Sequence, residues 1–305
     1  MIDVALVVVT HDSARHLDRL LDSLEAALGR LRARVVVVDN DSSDDTVTRL
    51  RGDGRAEVVT LPVNRGYAAA VNVGLSRTYD ARAVLILNPD LTLGAGSVET
   101  LVAAARERGV GIVVPRMRTP DGATYPSLRR EPTVTRAAAA AVLGGRVAGH
   151  FPRLSETVAG DGPYRERRDV DWATGAAMLV TRECADLTGR WDESFFLYSE
   201  ETDFADRARR IGYRVLYEPA AEVTHTGGDS LTSPRLRTML VVNRIRYFRR
   251  RHGLVRSAAF YTAVLGNEVT RAALGKRAAW AAARGLVWPA SRPHELGCSQ
   301  RLLPR

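Results

Sequence analysis

The chain has 305 residues, 45% of them hydrophobic and 26% charged, which is enough apolar material for a sizeable core and excludes a disordered polymer. Its two cysteines, Cys184 and Cys298, form no C-x-x-C pair and exclude a disulfide framework, which points to a reducing, cytoplasmic setting. The net charge of +9 is uneven: residues 235–305 hold 15 Arg/Lys against only Glu268 and Glu295, so the rest of the chain is net acidic.

The N-terminus, MIDVALVVVTHDS, has an apolar run but no basic n-region and no small-residue cleavage site, so it reads as a first strand rather than a signal peptide. Residues 4–10 (VALVVVT) and 35–38 (VVVV) are continuous β-branched runs of the kind buried on both faces of a parallel sheet. Between them HLDRLLDSLEAALGRL repeats Leu at helical spacing. A third strand is predicted over 57–63, a helix over AAAVNVGLSRT, a fourth strand over 83–87, a helix near 97–108 and a strand over 111–115. Strand alternating with helix implies an open, right-handed α/β sheet. Residues 116–170, rich in Arg, Pro and Gly, read as irregular with one Ala-rich helix near 134–143. AAMLVT (176–181) resumes the sheet, ESFFLYSEETDFADRARRIGY enters a helix, YRVLYEP (213–219) is another strand, and from about 234 the pattern is helical and basic. No stretch approaches the ~18 uncharged apolar residues of a membrane span.

In such sheets a ligand sits beyond the carboxyl ends of the strands. Thr10-His11-Asp12 follows the first strand, Asp39-Asn40-Asp41-Ser42-Ser43-Asp44 the second, Asn64-Arg65-Gly66-Tyr67 the third and Asn88-Pro89-Asp90 the fourth. Any one of these is an ordinary turn; four on one rim point to a site. No G-x-G-x-x-G follows the first strand and no P-loop occurs, which excludes a dinucleotide fingerprint. Phosphates near Asp90 would need a divalent cation between, and carboxylate, carbonyl and water ligands suit Mg²⁺ or Mn²⁺.

The ordered run VVTHDS, VVDNDSSDDT, NRGYAAAVNVG, LNPD, WATGAAMLV and FFLYSEETDF resembles the family 2 glycosyltransferases, and more narrowly their rhamnosyltransferase-like branch, over residues 4 to about 250. The resemblance implies a GT-A fold, an open, mostly parallel α/β sheet flanked by helices. It implies inverting, metal-assisted transfer from a nucleotide-diphosphate sugar, with residues 1–233 as catalytic domain and 234–305 as a basic helical C-terminal region. By that similarity Thr10, Asp39 and Asn40 line the base and ribose pocket. Asn64, Gly66 and Asn72 shape the nucleotide-sugar cleft, and Arg65 lies near the diphosphate. Asn88 and Asp90 occupy the family's D-x-D metal motif, with one charge fewer at Asn88. His225 matches the place from which some relatives supply a third ligand; a lone His is otherwise structural. Trp172, Thr174 and Gly175 resemble the acceptor-side loop, the alternative being a Trp buried at the start of a strand.

The carboxylates of SEETD have separate expected roles. With Ser199 as N-cap, Glu200 and Glu201 fall in a first helical turn, where the macrodipole favours anions. Inverting transfer needs one base within reach of the acceptor hydroxyl. The family's E-D-x-D motif places that base at Glu201, where Glu stands in for the usual Asp; Glu200 would orient acceptor or donor and is the alternative base. Asp203 can pair with Arg207 at i+4.

Aromatic and aliphatic residues interleaved with Arg271, Lys276, Arg277 and Arg284 suit a helix on an anionic membrane surface, consistent with a lipid-linked acceptor and peripheral attachment to the inner face of the membrane. A homodimer ranks second. Nucleic acid ranks last, for no binding motif accompanies the charge. The expected donor is dTDP-rhamnose and the acceptor a lipid-linked or growing envelope glycan. UDP-galactofuranose or UDP-GlcNAc as donor, and a catalytically silent nucleotide-sugar-binding scaffold, are the alternatives. A sugar nucleotidyltransferase is disfavoured, for THDSARHL is not a Gly-rich phosphate loop.

Overall fold

The computed structural model of the protein describes residues 2–149, 151–227, 233–296 and 302; Cys298 and Gly228 fall outside them. In chain order the elements are β1 (Val4–Thr10), α1 (Leu17–Leu28), β2 (Ala33–Asp39), α2 (Thr46–Asp53), β3 (Glu57–Thr60), α3 (Tyr67–Leu75), β4 (Ala83–Leu87) and β5 (Leu91–Leu93). There follow α4 (Ser97–Ala104), β6 (Val110–Arg118), β7 (Leu128–Arg129), α5 (Val134–Gly149), β8 (Arg168–Asp169), β9 (Trp172–Ala173), β10 (Ala177–Thr181) and α6 (Arg182–Thr188). The last are α7 (Glu200–Arg210), β11 (Arg214–His225), α8 (Pro234–Arg249), α9 (Leu254–Ala273) and α10 (Arg277–Val287).

These divide into two compact units, Met1–Leu128 with Gly160–Glu193 and Glu201–Gly227, and Arg129–Ala159 with Ser194–Glu200 and Gly228–Arg305. The first is a sheet in the order β3-β2-β1-β4-β10-β6-β11-β5. β3, β2, β1 and β4 are parallel neighbours, as the alternating strand and helix pattern predicts. β10 lies antiparallel between β4 and β6, with Met178 opposite Ile86. Every residue of β1 is buried, in keeping with its unbroken apolar run. α1 turns Leu17, Leu20, Leu21 and Leu24 inward at helical spacing. α3 approaches β1 closely at Gly74, where a Cβ would lie 2.3 Å from Cγ1 of Val7.

The second unit is built from α5, α8, α9 and α10 around Met239, Val242, Ile245, Phe260, Val264, Ala282 and Leu286. Phe248 stacks on Phe260 with centroids 3.9 Å apart. The buried Glu268 takes the Arg237 guanidinium, so a carboxylate inside a helical core carries its counter-ion. α5 is longer than its Ala-rich stretch suggests and kinks at Gly144, with φ 75° and ψ 151°. Among the described residues no helix is long and apolar enough to cross a membrane.

Candidate active site

The carboxyl ends of β1, β2 and the segment after β3 are tied by a side-chain network. Thr10 Oγ1 donates to Asp39 Oδ1 at 2.9 Å, and Ser42 closes on the same carboxylate through its Oγ at 2.5 Å and its backbone N–H at 3.0 Å. Next along the chain, buried Asn40 turns its amide the other way. Its Nδ2 donates to Asn64 Oδ1 (2.9 Å) and the Gly66 carbonyl (3.2 Å), and its Oδ1 accepts the Arg65 N–H at 2.9 Å. Gly66 has φ 85°, a conformation disfavoured for residues with a Cβ, and its N–H donates to Asn64 Oδ1. Thr10, Asp39, Asn40, Asn64, Arg65 and Gly66 thus form one rim, with Asn40 bracing its last three members.

Asp12, after β1, and Asp44, in DNDSSDD, serve the turns. Asp12, at φ 48°, accepts the N–H groups of Ser43 (2.7 Å) and Asp44 (3.3 Å), while Asp44 Oδ2 accepts from Ala14 N–H at 3.1 Å. The Ser43 amide holds the Asp12 carboxyl below the usual carboxylate range.

Asn72, on α3, donates through Nδ2 to the Trp191 carbonyl (2.9 Å) and to Glu193 Oε1 (3.0 Å), and accepts the Trp191 N–H through Oδ1 at 2.9 Å. It fixes the segment 191–193. Glu193, which sequence reasoning missed, also takes Arg65 at 3.0 Å and Arg190 at 2.7 Å. Burial pushes its pKa up, but Asn72 and the two guanidiniums outweigh that and hold it below the ordinary glutamate value. Arg65, predicted near a diphosphate, is thus held in place by Glu193.

At the end of β4, the Asn88 N–H donates to the Ala176 carbonyl at 2.8 Å. Two residues on, Asp90 Oδ2 lies 3.2 Å from Nε2 of His225, the last residue of β11. Both side chains are largely buried, and among the described residues Asp90 Oδ1 and His225 Nδ1 have no hydrogen-bond partner. Burial opposes ionisation of Asp90; the hydrogen bond and charge of His225 prevail and keep its carboxyl below the usual range. Gly227 is the floor here: a Cβ on it would lie 2.3 Å from Asp90 Oδ2 and 2.9 Å from His225 Nε2. Tyr125 meets the imidazole edge-on at 5.4 Å. Among the described residues no three His, Cys, Asp or Glu side chains converge as a metal cage. The pair therefore offers one carboxylate and one imidazole, leaving other positions of any cation to substrate and water.

WATGAA meets Glu201 at Gly175, where a Cβ would sit 3.2 Å from Cβ and 3.4 Å from Cγ of Glu201. The Gly175 carbonyl accepts from Tyr67 Oη at 3.3 Å, and Thr174 is anchored by its N–H to the Ser127 carbonyl at 2.9 Å. Trp172, on β9, is half-buried. Asp203 pairs with Arg207 at 2.7 Å, and that guanidinium also donates to the carbonyls of Thr188 (2.5 Å) and Arg190 (2.9 Å), a structural role.

Glu200 is buried and groups with the residues before it, whereas Glu201 groups with the sheet. Ser199 precedes α7 as predicted, but at φ 75° rather than in the extended conformation of a capping serine. Phe196 (φ 62°) and Tyr198 (φ 70°) are left-handed too, a conformation costing about 1–3 kcal/mol for a non-glycine residue. α8 holds this strained segment. Buried Asn243 donates from Nδ2 to the carbonyls of Phe195 and Leu197, both at 2.8 Å or less, and Arg246 joins Asn243 Oδ1 (2.8 Å) to the Ser194 carbonyl (2.9 Å). Arg250 adds Ser194 Oγ at 2.8 Å. The signal for this clamp was an Asn inside an apolar helical run, a poor helix former that needs a reason to be buried.

The family model described as glycosyl transferase family 2 matches residues 5–153. The chain is 34% identical to an N-acetylglucosaminyl-diphospho-decaprenol L-rhamnosyltransferase of Mycobacterium tuberculosis, covering 74% of this chain and 76% of the relative. It is 27% identical to the low-salt glycan biosynthesis hexosyltransferase Agl10 of Haloferax volcanii, covering 68% of this chain and 62% of the relative. GalNAc-T7, crystallised with UDP, GalNAc and Mn²⁺, superposes with a TM-score of 0.60 at 15% identity over 81% of this chain, which spans 47% of that longer one. A mannosyltransferase from Pyrobaculum calidifontis in complex with GDP-Man and Mn²⁺ superposes with a TM-score of 0.54 at 18% identity over 96% of this chain and 78% of its own. With the α/β sheet of the GT-A fold and these relatives together, the chain belongs to glycosyl transferase family 2, as a glycosyltransferase of its rhamnosyltransferase-like branch.

Proposed function

We propose that the protein moves a rhamnosyl group from dTDP-rhamnose, with inversion, to a hydroxyl of a lipid-linked envelope glycan at the inner face of the cell membrane. The mycobacterial relative's name, which gives both rhamnose and a diphospho-decaprenol acceptor, supports this choice of substrates. The observation that carries the reading is the Asp90–His225 pair: a buried carboxylate with one oxygen left open, beside an imidazole, over a glycine that leaves room.

That donor set fits a divalent cation such as Mg²⁺ or Mn²⁺, and Asp90 and His225 would hold it. When bound, such an ion offsets the charge that gathers on the departing diphosphate. The Thr10–Asp39 and Asn40–Asn64–Gly66 network presents the rim against which base, ribose and diphosphate lie, with Arg65 held by Glu193 as the nearby cation. Glu201, seated on Gly175, takes the proton of the acceptor hydroxyl as that oxygen bonds to the anomeric carbon and the C–O bond to the diphosphate breaks, its electron pair leaving with dTDP. Glu200 orients acceptor or donor, and Trp172 and Thr174 belong to the segment that resembles the acceptor-side loop.

The test is transfer assayed by mass spectrometry with dTDP-rhamnose, UDP-galactofuranose and UDP-GlcNAc on a polyprenyl-diphosphate GlcNAc acceptor. Turnover with dTDP-rhamnose alone, lost in Glu201→Gln while dTDP binding persists, is the expected result. Turnover with a UDP-sugar would reassign the donor, and binding without any turnover would make the protein a scaffold.

A further inference from the structure

The outer face of α10 has no role in the site, and its composition is unusual for a surface in water. Its inner face is made of small residues, with Ala278, Ala279, Ala282, Ala283 and Leu286 buried against the helical core. The opposite face exposes Arg277, Trp280, Arg284 and Val287 in sequence, and Trp288 follows at the helix end. Trp280 and Trp288 are each 62% exposed, and Leu274, in the turn before the helix, is 73% exposed. Two exposed indoles with Arg284 between them and Arg277 just before are not what solvation alone selects, because an exposed Trp gains nothing from water that a smaller polar residue would not.

The geometry points to this stripe as a docking face for an anionic lipid bilayer, with α10 lying in the plane of the headgroups. Indole rings settle at the headgroup level, where the ring is apolar and its N–H stays wet. Arginine stems extend along an apolar face while their guanidiniums reach phosphates. Lys276, Arg277 and Arg284 carry charge on or beside the stripe, and α10 has no acidic residue. The charge complementarity selects the occupant. A second copy of this chain on a two-fold axis would bring one basic stripe, with its Arg277 and Arg284, against another with no acidic residue of α10 to answer it. A surface of lipid phosphates meets the same residues favourably, at ~1 kcal/mol for each basic side chain near it. The helix lies on such a surface rather than through it, as its 11 residues are too few to span a bilayer. None of this depends on which donor or acceptor the site takes.

The experiment is co-sedimentation of the full chain with vesicles of phosphatidylglycerol and phosphatidylcholine, without donor, acceptor or metal, against vesicles of phosphatidylcholine alone. The wild type should partition onto the anionic vesicles, less so at high salt. Arg277→Gln/Arg284→Gln should weaken that by about 25-fold, the equivalent of ~1 kcal/mol per arginine. Trp280→Ser/Trp288→Ser should weaken it by about tenfold or more. Both variants change exposed positions, so circular dichroism should report unchanged folding. With the wild type, quenching of indole fluorescence by brominated lipid gives a reading free of any variant. Wild-type protein that stays in solution, variants that bind as well as wild type, or absence of quenching would each overturn the proposal. So would a wild-type dimer that Trp280→Ser/Trp288→Ser converts to a monomer with vesicle binding unchanged, because the stripe would then be a self-association face.

Discussion

Glu201 rests directly on Gly175: the space a Cβ would occupy on the glycine begins 3.2 Å from the Cβ of the glutamate. The glycine therefore limits how deep the carboxylate can sit, which bears on Glu201 as the proposed base, since Glu stands there where the family's motif has Asp. Gly175→Ala must push Glu201 by a few tenths of an ångström. We expect it to lower kcat by about tenfold while leaving the affinity for nucleotide within about twofold, because a base tolerates little displacement. Steady-state kinetics beside calorimetric dTDP titration checks this; equal losses in both would show the glycine serving the donor pocket instead.

The strained turn before α7 depends on Asn243. Asn243→Ala leaves the carbonyls of Phe195 and Leu197 without the amide donor they now share, a loss of about 1–3 kcal/mol. Thermal denaturation should show that loss as a lower Tm. Turnover should fall further than stability alone explains, because Phe196, Tyr198 and Ser199 would relax from their left-handed conformations just before the acidic pair.

Glu193 makes stability depend on pH. Its folded pKa is depressed from the ordinary 4.5, so its contribution is fully present above that value and is lost as pH falls through the lower folded one. The gap in Tm between wild type and Glu193→Gln should be constant near neutrality and narrow below about pH 4.5. A gap that widens on acidification would mean the carboxylate is not held by Asn72 and the two arginines.

Asp90 and His225 should act together toward a cation. In thermal shift, dTDP with Mn²⁺ should stabilise the wild type more than dTDP alone, since a ligand bound only by the folded state adds RT ln(1 + [L]/Kd). Asp90→Asn and His225→Gln should each remove the metal's increment and retain that of dTDP. An increment that survives both changes would place the cation elsewhere.

Cys184 is buried and its thiol is pushed up to about 11 by burial, so little thiolate exists at neutral pH. Peptide mapping after iodoacetamide should find it unmodified in the native protein at pH 8 and fully modified in urea.

Much of the sheet could be read from sequence because β1, β2 and β4 are continuous apolar runs, and helices between them leave few topologies. The reversed direction of β10 could not be, since AMLVT looks alike in either orientation and its neighbours are chosen by residues far along the chain. In the site, Asp39 and Asn40 were visible as polar residues at a strand end. Their opposite allegiances, one to Thr10 and Ser42 and the other to Asn64 and Gly66, follow from backbone direction that no spacing rule supplies. Glu193 and Asn243 escaped because, beside a local arginine, each works through partners more than 40 residues away, Asn72 and Arg65 for the one and Phe195 and Leu197 for the other. A capping serine was a sound local expectation at Ser199; contacts made by Asn243 and Arg246 to residues just before it override local preference.

The placement of β10 also governs the order in which the chain can fold. β4 is complete at Leu87, but one of its edges stays open until residues 177–181 are available to pair with it. During synthesis, at roughly 5–20 residues per second, that edge of AVLIL waits several seconds with its N–H and C=O groups uncovered and both faces apolar. Such an edge is a template for pairing with another nascent chain. A ribosome-bound fragment ending before residue 177 should therefore aggregate on release more than one extended past Thr181, in which only the far edge of β6 still waits for β11, so the antiparallel strand closes the middle of the sheet and β11 its far side.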